Sequence, residues 1–106
     1  MVKEIDSQEL ESRLAANEDI HLMDIRSDAE VIGGMLPRSI HLPMHLIPLK
    51  MAEFSPEKEI VLYCRSGARS YHACQYLMQQ GYDNVINLRG GIIDWARQGF
   101  RIVANG

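Results

Sequence analysis

Apolar runs and amphipathic segments alternate along the chain, which predicts strands and helices in turn. The apolar runs are short and bounded by turn residues, as strands are. The predicted strands are residues 2–5, 20–25, 40–42, 60–64 and 84–88. The predicted helices are residues 6–17, 48–54, 69–80 and 90–99, with a short helical turn around residues 29–34. This alternation predicts an α/β domain with a mainly parallel central sheet.

Signals at the ends of the helices support this assignment. Asp6 is a good N-cap for the first helix, with Glu9 three residues later, as in a capping box. Pro48 suits the first turn of a helix that we expect to reach Phe54, because its missing N–H is not needed there. Gly81 follows the helix at 69–80, and its freedom to adopt a positive φ predicts the end of that helix.

Length and composition place the chain among ordinary globular proteins. The 106 residues, 46% hydrophobic and 24% charged, predict one domain spanning residues 1–106. A net charge of -3 gives no global field for nucleic acid, so we expect no nucleic-acid partner. The charged N-terminus is unlike a signal peptide and no apolar run is long enough to span a bilayer, so we expect a cytoplasmic protein without a membrane partner. Two cysteines do not make a disulfide framework, and we expect both to be reduced.

Candidate chemistry lies where the most apolar strand runs into a cysteine, Cys64. Ligands of open α/β sheets bind at the carboxyl ends of strands, where loops lead into helices. The loop that follows Cys64 consists of Arg65, Ser66, Gly67, Ala68 and Arg69. The helix N-terminus, two arginines and a glycine-containing turn of inward-pointing amides would all stabilise a negative charge. Such surroundings lower a cysteine pKa from about 8.5 to roughly 3.5–7.5, so we predict that Cys64 is a thiolate nucleophile in a pocket for an anionic substrate.

The loop also resembles a known active site. The segment "CRSGARS", residues 64–70, looks like the active-site loop of the rhodanese (thiosulfate sulfurtransferase) family. "LMDIRSDAEVIGGMLPRSIHLP" and "NLRGGIIDWARQGFRIV" are similar to the first and the closing signatures of that family. The sequence departs from the family pattern at Met35, commonly His, at Arg38, commonly Gly, and at Arg101, commonly Pro.

This resemblance implies a rhodanese-like three-layer domain, with helices on both faces of the sheet, and a sulfurtransferase activity. The catalytic residue would be Cys64, which would carry sulfur as a persulfide. Arg65 to Arg69 would bind a small anionic donor such as thiosulfate; which arginine faces the donor stays open at this point. Cyanide, a thiol or a sulfur-relay protein would take the sulfur away. No metal or organic cofactor is implied.

Other functions compete with this one. Cysteine phosphatases and arsenate reductases of related fold look like Cys-x5-Arg, whereas here four residues separate Cys64 from Arg69. The shorter loop resembles the sulfurtransferase type. A persulfide carrier would need the same loop, so the sequence leaves that alternative open. A non-catalytic interaction module is disfavoured, because inactive relatives commonly lack the cysteine or the basic residues.

Several further residues carry chemical side chains for which a structural role is the favoured interpretation. Asp24 and Arg26 resemble an Asp-x-Arg motif at a strand end and predict an ion pair near the loop. Cys74 lies on the predicted inward face of its helix and is expected in the core. His72 is expected to be exposed, and Trp95 to lie in the core or beside the loop.

His41 and His45 have a spacing of four, but Pro43 between them argues against one helical face, so no metal site is predicted. The segment from Met44 to Met51 is more apolar than one buried face requires. We expect most of it to pack in the core, with part of it available as a docking surface for a sulfur-relay partner.

Overall fold

A five-stranded, entirely parallel sheet forms the centre of the molecule. The computed structural model describes residues 1–104. The strands are β1 (Lys3–Ile5), β2 (His21–Asp24), β3 (Ser39–His41), β4 (Ile60–Tyr63) and β5 (Val85–Leu88). Their order across the sheet is β1-β5-β4-β2-β3, with every neighbouring pair parallel. The predicted parallel sheet is confirmed, and β4 is its central strand.

Within the described residues, one α-helix follows each strand. These helices are α1 (Ser7–Ala15), α2 (Asp28–Val31), α3 (Ile47–Lys50), α4 (Ala68–Gln79) and α5 (Gly91–Arg97). Asp6 caps α1 as predicted, since its side chain accepts a hydrogen bond from the Glu9 amide at 2.8 Å. Gly81 follows α4 with φ +96°, as expected for a helix stop.

The predicted helix from Pro48 to Phe54 is only partly correct. The helical path begins earlier, at Met44, and consists of α3 between two 3₁₀ turns, Met44–Leu46 and Met51–Glu53. Pro48 explains the tight first turn, because it has no N–H to donate to the carbonyl four residues before it. The carbonyl of Met44 instead accepts from Ile47, three residues later.

Alternating side chains of β4 fill a separate core on each face of the sheet. Ile60, Leu62 and Cys64 belong to one apolar cluster, whereas Val61 and Tyr63 belong to the other. The first cluster also contains residues of α3 and α4, and the second contains residues of α1 and α5. Helices therefore cover both faces, which confirms the three-layer α/β arrangement and explains why β4 is apolar throughout.

Arg38, where the resembled family commonly has glycine, adopts a left-handed conformation with φ +65°. Its guanidinium donates to the carbonyls of Leu14 at 2.9 Å and Glu18 at 3.4 Å. These bonds join the turn before β3 to the end of α1, and they offset the strain that a side chain suffers at positive φ. Within residues 1–104, no helix is long and apolar enough to cross a membrane.

Candidate active site

Cys64 directly follows the central strand β4, at the edge of the sheet where the parallel strands end. The loop after it turns at once into α4, whose N-cap is Gly67. Cys64 is only 1% exposed. Cys64 is thus almost completely covered by the protein around it.

Hydrogen-bond donors surround the sulfur. Its Sγ accepts from the Gly67 amide at 3.2 Å, from the Ser70 amide at 3.5 Å and from the Ser70 hydroxyl at 3.4 Å. Burial acts to raise the pKa of Cys64, but these donors and the Ser66 amide outweigh it and hold the pKa below its ordinary value. The structure therefore favours the thiolate chiefly through hydrogen bonds at the start of α4.

Helix α5 holds this loop in its curled shape. The Ile92 amide donates to the carbonyl of Cys64 at 3.0 Å, and the Ile93 amide donates to that of Arg65 at 3.1 Å. Gly91 permits the contact, since a Cβ there would lie 2.4 Å from the Arg65 oxygen. Gly67 has φ +98°, a conformation that favours glycine. With the carbonyls directed at α5, the loop amides are free to point at the sulfur.

Ser70 and Asn87 contribute to this site, although neither was assigned a role from the sequence. The Ser70 hydroxyl shares its single proton between Sγ, at 3.4 Å, and the side-chain oxygen of Asn87, at 2.5 Å. Asn87 in turn donates to Glu4 at 2.8 Å and to the Gly67 carbonyl at 3.2 Å. Both Ser70 and Asn87 are buried. A polar Asn within the apolar strand β5 was the available signal, since buried polar groups need partners.

The two loop arginines have different surroundings. Arg69 forms a two-pronged ion pair with Glu30 of α2, with nitrogen–oxygen distances of 2.8 and 2.7 Å. The Arg69 hydrogen bond holds the pKa of Glu30 well down, at about 2. Arg65 is exposed, and no carboxylate within residues 1–104 lies within 4.0 Å of its side chain. The role of Glu30 could not be predicted from the sequence, because its partner lies 39 positions away.

Asp24 and Arg26 form a buried ion pair at the end of β2, with a closest distance of 2.7 Å. Asp24 also accepts from the Tyr63 hydroxyl at 2.6 Å, and Arg26 donates to the Gly34 carbonyl at 2.6 Å. Burial, followed by the nearby Asp24 carboxylate, raises the pKa of Tyr63, so the phenol stays protonated. This network fixes the segment after β2 beside Tyr63, the residue that precedes Cys64.

The Arg69–Glu30 ion pair lies between two clefts. Arg69 lines one of about 590 Å³, with Ile25, Pro43 and Met44 among its other walls. Glu30 lines the other, of about 370 Å³, and Arg65 also borders it. Its apolar walls are Ile92, Ile93, Ala96 and Ile102. Each cleft can therefore admit part of a small molecule beside the loop.

The remaining candidates lie apart from the sulfur or in the core. Cys74 is fully buried, and burial raises its pKa to about 12, so it stays a neutral thiol. Trp95 is buried and donates to the Arg101 carbonyl at 2.8 Å, and His72 is exposed. Within the described part of the chain, no three His, Cys, Asp or Glu residues are grouped to hold a metal ion.

The segment Met44–Met51 is divided between core and surface. Ile47 is buried, whereas Leu49 is 75% exposed. Met44, Ile47 and Pro48 border an apolar groove with Ala73 and Tyr76 of α4. The expected core packing is found for part of the segment, and the docking role stays a prediction.

Solved structures share this fold over nearly all of the chain. A rhodanese-like domain protein from Staphylococcus aureus is 28% identical, with a TM-score of 0.87 over 99% of this chain and 100% of that one. A rhodanese-related protein from Thermoplasma volcanium is 27% identical, also with a TM-score of 0.87, over 97% of this chain and 99% of that one. The arrangement of sheet and helices is thus that of rhodanese-like proteins.

Sequence comparison agrees with the fold. A protein of Allochromatium vinosum named a sulfurtransferase is 62% identical over 104 residues, which cover 98% of this chain and 97% of that protein. Residues 6–98 match the family described as the rhodanese-like domain, a span that includes the whole cysteine loop. The chain therefore belongs to the rhodanese-like domain family.

Proposed function

We propose that the protein is a sulfurtransferase in which Cys64 accepts a sulfane sulfur from thiosulfate or another donor and passes it on. One observation carries the proposal. The sulfur of Cys64 lies at the end of the central strand and accepts three hydrogen bonds from Gly67 and Ser70. These donors support a thiolate as nucleophile and, after reaction, the negative charge of a persulfide.

In the first half-reaction, the Cys64 thiolate attacks the outer sulfur of the donor. A new bond forms between the two sulfur atoms, and the bond to the donor's inner atom breaks. With thiosulfate, the electron pair of that bond leaves with sulfite, and Cys64 becomes a persulfide anion. Cys64 is only 1% exposed, which favours attack on the terminal atom of a small donor over attack on a bulky group.

In the second half-reaction, an acceptor nucleophile attacks the terminal sulfur of the persulfide. The bond between the two sulfurs breaks, and its electron pair returns to Cys64 as the thiolate. Cyanide would leave as thiocyanate, a thiol as a persulfide, and a relay protein would carry the sulfur on its own cysteine. The two half-reactions make a ping-pong mechanism, which needs no electron donor from outside.

The phosphatase alternative has less support. The loop is one residue shorter than the Cys-x5-Arg type, and Arg69 is bound to Glu30 in the described structure. A phosphatase also needs a carboxylic acid to protonate the leaving group. Asp24, on the strand beside β4, already accepts from Arg26 and Tyr63.

Intact mass spectrometry tests the proposed function. The reduced protein is incubated with thiosulfate beside a Cys64→Ser variant, with Cys74→Ser as the matched control at the buried thiol. We expect a gain of one sulfur atom in the wild type and in the Cys74 variant, and none in the Cys64 variant. A sulfur gain that follows Cys74 instead would overturn the assignment of Cys64.

Acceptor kinetics then distinguish an enzyme from a carrier. Rapid turnover with cyanide or a small thiol is the result expected of an enzyme. A stable persulfide that only another protein discharges would identify a carrier. If neither thiosulfate nor a persulfide donor loads Cys64, the sulfurtransferase proposal fails.

A further inference from the structure

The cations around Cys64 are largely neutralised by carboxylates. Arg26 is paired with Asp24 in the protein interior, and Arg69, in the loop after Cys64, is paired with Glu30 of α2. Arg65 is the one loop arginine that has no carboxylate within 4.0 Å among residues 1–104. Among the described residues, the positive charge of Arg65 is therefore the uncompensated one of the two loop arginines.

Glu30 is held firmly in its place beside Arg69. It is the N3 residue of the capping box of α2: Oε1 accepts from the Ser27 amide at 3.0 Å, and the Ser27 hydroxyl accepts from the Glu30 amide. Both carboxylate oxygens bind Arg69. Its side chain is 28% exposed. An anionic donor that binds Arg69 would have to compete with the Glu30 carboxylate for its N–H groups. The negative charge of Glu30 would also repel the donor.

From this charge arrangement we propose that Glu30 is a specificity-determining residue, which neutralises Arg69 and so makes the site selective for monoanionic sulfane donors over the thiosulfate dianion. The favoured classes are persulfides and thiosulfonates, each of which carries one negative charge at the reacting end. The apolar walls Ile92, Ile93 and Ala96 of the cleft beside Arg65 suit an organic group attached to such a donor. This inference rests on the proposed function.

The transfer from these donors balances without another reactant. The Cys64 thiolate bonds to the terminal sulfur of a persulfide anion, the original bond between the two sulfurs breaks, and the electron pair leaves with a thiolate. With a thiosulfonate, the leaving group is a sulfinate. The total charge is the same before and after each transfer.

A pair of donors that differ by one charge tests the inference. Thiosulfate carries two negative charges, and methanethiosulfonate replaces one oxygen anion by a methyl group. Single-turnover loading of Cys64 is followed by quenching and intact mass, and each rate constant is divided by that of the same donor with 2-mercaptoethanol. The ratio of the two normalised values is independent of how much Cys64 is ionised, because both donors react with the same thiolate.

Wild type is expected to favour methanethiosulfonate. Glu30→Gln removes the charge of Glu30 but keeps an oxygen for the capping box. We expect Glu30→Gln to accelerate loading by thiosulfate about tenfold and loading by methanethiosulfonate about threefold. The electrostatic energy of a donor with two negative charges changes twice as much as that of a donor with one. Asp28→Asn makes the same charge change on the same helix at a side chain that is 91% exposed, and the ratio should move by less than about 1.5-fold.

An Arg69→Met background shows whether Glu30 acts through Arg69. In that background, Glu30→Gln should no longer shift the ratio by more than Asp28→Asn does. The inference is overturned if wild type prefers thiosulfate, if Glu30→Gln leaves the ratio unchanged, or if the shift persists without Arg69. If neither thiosulfate nor methanethiosulfonate loads Cys64 in any variant, the result contradicts the proposed function and the inference that rests on it.

Discussion

At the scale of single residues, the pKa of Cys64 depends on the hydrogen-bond donors that contact its buried sulfur. Burial alone would keep Cys64 protonated, as it does Cys74, whose pKa it raises to about 12. The difference lies in the donors: three hydrogen bonds from Gly67 and Ser70 reach the sulfur of Cys64. Two cysteines of the same core cluster therefore have pKa values shifted in opposite directions, downward for Cys64 and upward for Cys74.

Replacing Ser70 by alanine should raise the pKa of Cys64, because the thiolate loses its side-chain donor, and hydrogen bonds to charged groups contribute about 1.5–3 kcal/mol. The measurement is the rate of iodoacetamide alkylation against pH, whose midpoint should move upward. Ser66→Ala is the matched control, since Ser66 supports the thiolate through its backbone amide, which the substitution keeps. Equal midpoints for the two variants would show that the Ser70 hydroxyl does not stabilise the thiolate.

The contrast between the two cysteines makes a second prediction. In the folded protein at neutral pH, alkylation should modify Cys64 and leave Cys74 unmodified, because a thiol with a pKa of about 12 is almost wholly protonated there. In urea, both cysteines should react. Peptide mapping after a short treatment provides the check, and rapid labelling of Cys74 in the folded state would contradict the structure.

At the scale of elements, the loop after Cys64 is shaped by a helix that begins more than 20 residues later in the sequence. The amides of Ile92 and Ile93 at the start of α5 bind the carbonyls of Cys64 and Arg65. Only a residue without a Cβ fits at Gly91, because the carbonyl oxygen of Arg65 lies in that space. The geometry around the sulfur therefore depends on two helices, α4 through its amides and α5 through its contact with the loop.

Gly91→Ala should consequently destabilise the fold and slow the loading of Cys64. Both Gly91 (φ +59°) and Gly99 (φ +79°) adopt positive φ, but nothing lies within 4 Å of a Cβ at Gly99. Gly99→Ala should therefore show only the conformational cost, about 1 kcal/mol. Gly91→Ala should lose about 1–3 kcal/mol more through overpacking, measured by urea unfolding. Similar losses in both variants would rule out the close contact with Arg65.

At the scale of the whole molecule, side-chain contacts join parts of the chain that are far apart in sequence. Glu30 of α2 binds Arg69 of α4, and Arg38 joins the turn before β3 to the end of α1. The backbone of Met35 also pairs with Val103 in an antiparallel bridge. The first contact reaches the segment that carries the site, whereas the other two join the connection between α2 and β3 to α1 and to Val103.

The Glu30–Arg69 ion pair should make stability depend on acidity. The pKa of Glu30 is about 2 in the folded state, below its ordinary 4.5, so the folded protein binds fewer protons there than the unfolded chain. The contribution to stability is thus fully present above pH 4.5 and is lost as the pH falls towards 2. The difference in unfolding free energy between wild type and Glu30→Gln should therefore shrink over that interval.

Urea unfolding at a series of pH values measures this difference. Glu53→Gln serves as the control, because Glu53 is exposed and lies 3.8 Å from Lys50 in a surface pair, which contributes only about 0–1 kcal/mol. A constant difference between wild type and Glu30→Gln from pH 6 to pH 3 would argue against the ion pair.

Much of the fold could be predicted because its signals are local. Asp6, the apolar strand 60–64 and Gly81 act through neighbouring residues, so capping, alternation and turn preferences indicated the elements and their order. The exception is the segment around Pro48, where a missing amide changed the hydrogen-bond pattern and began the helical path at Met44.

The parallel α/β arrangement and the position of Cys64 at the end of a strand could be read from the amino-acid pattern, since periodicity and the strand–loop–helix order are properties of adjacent residues. Tertiary structure decided the partners. Ser70 reaches the sulfur because the loop curls, Asn87 reaches Ser70 because β5 lies beside β4, and Glu30 reaches Arg69 because α2 and α4 meet at the same edge. Hydrogen bonds and ion pairs depend on distances in space, and folding sets those distances between residues that the sequence keeps far apart.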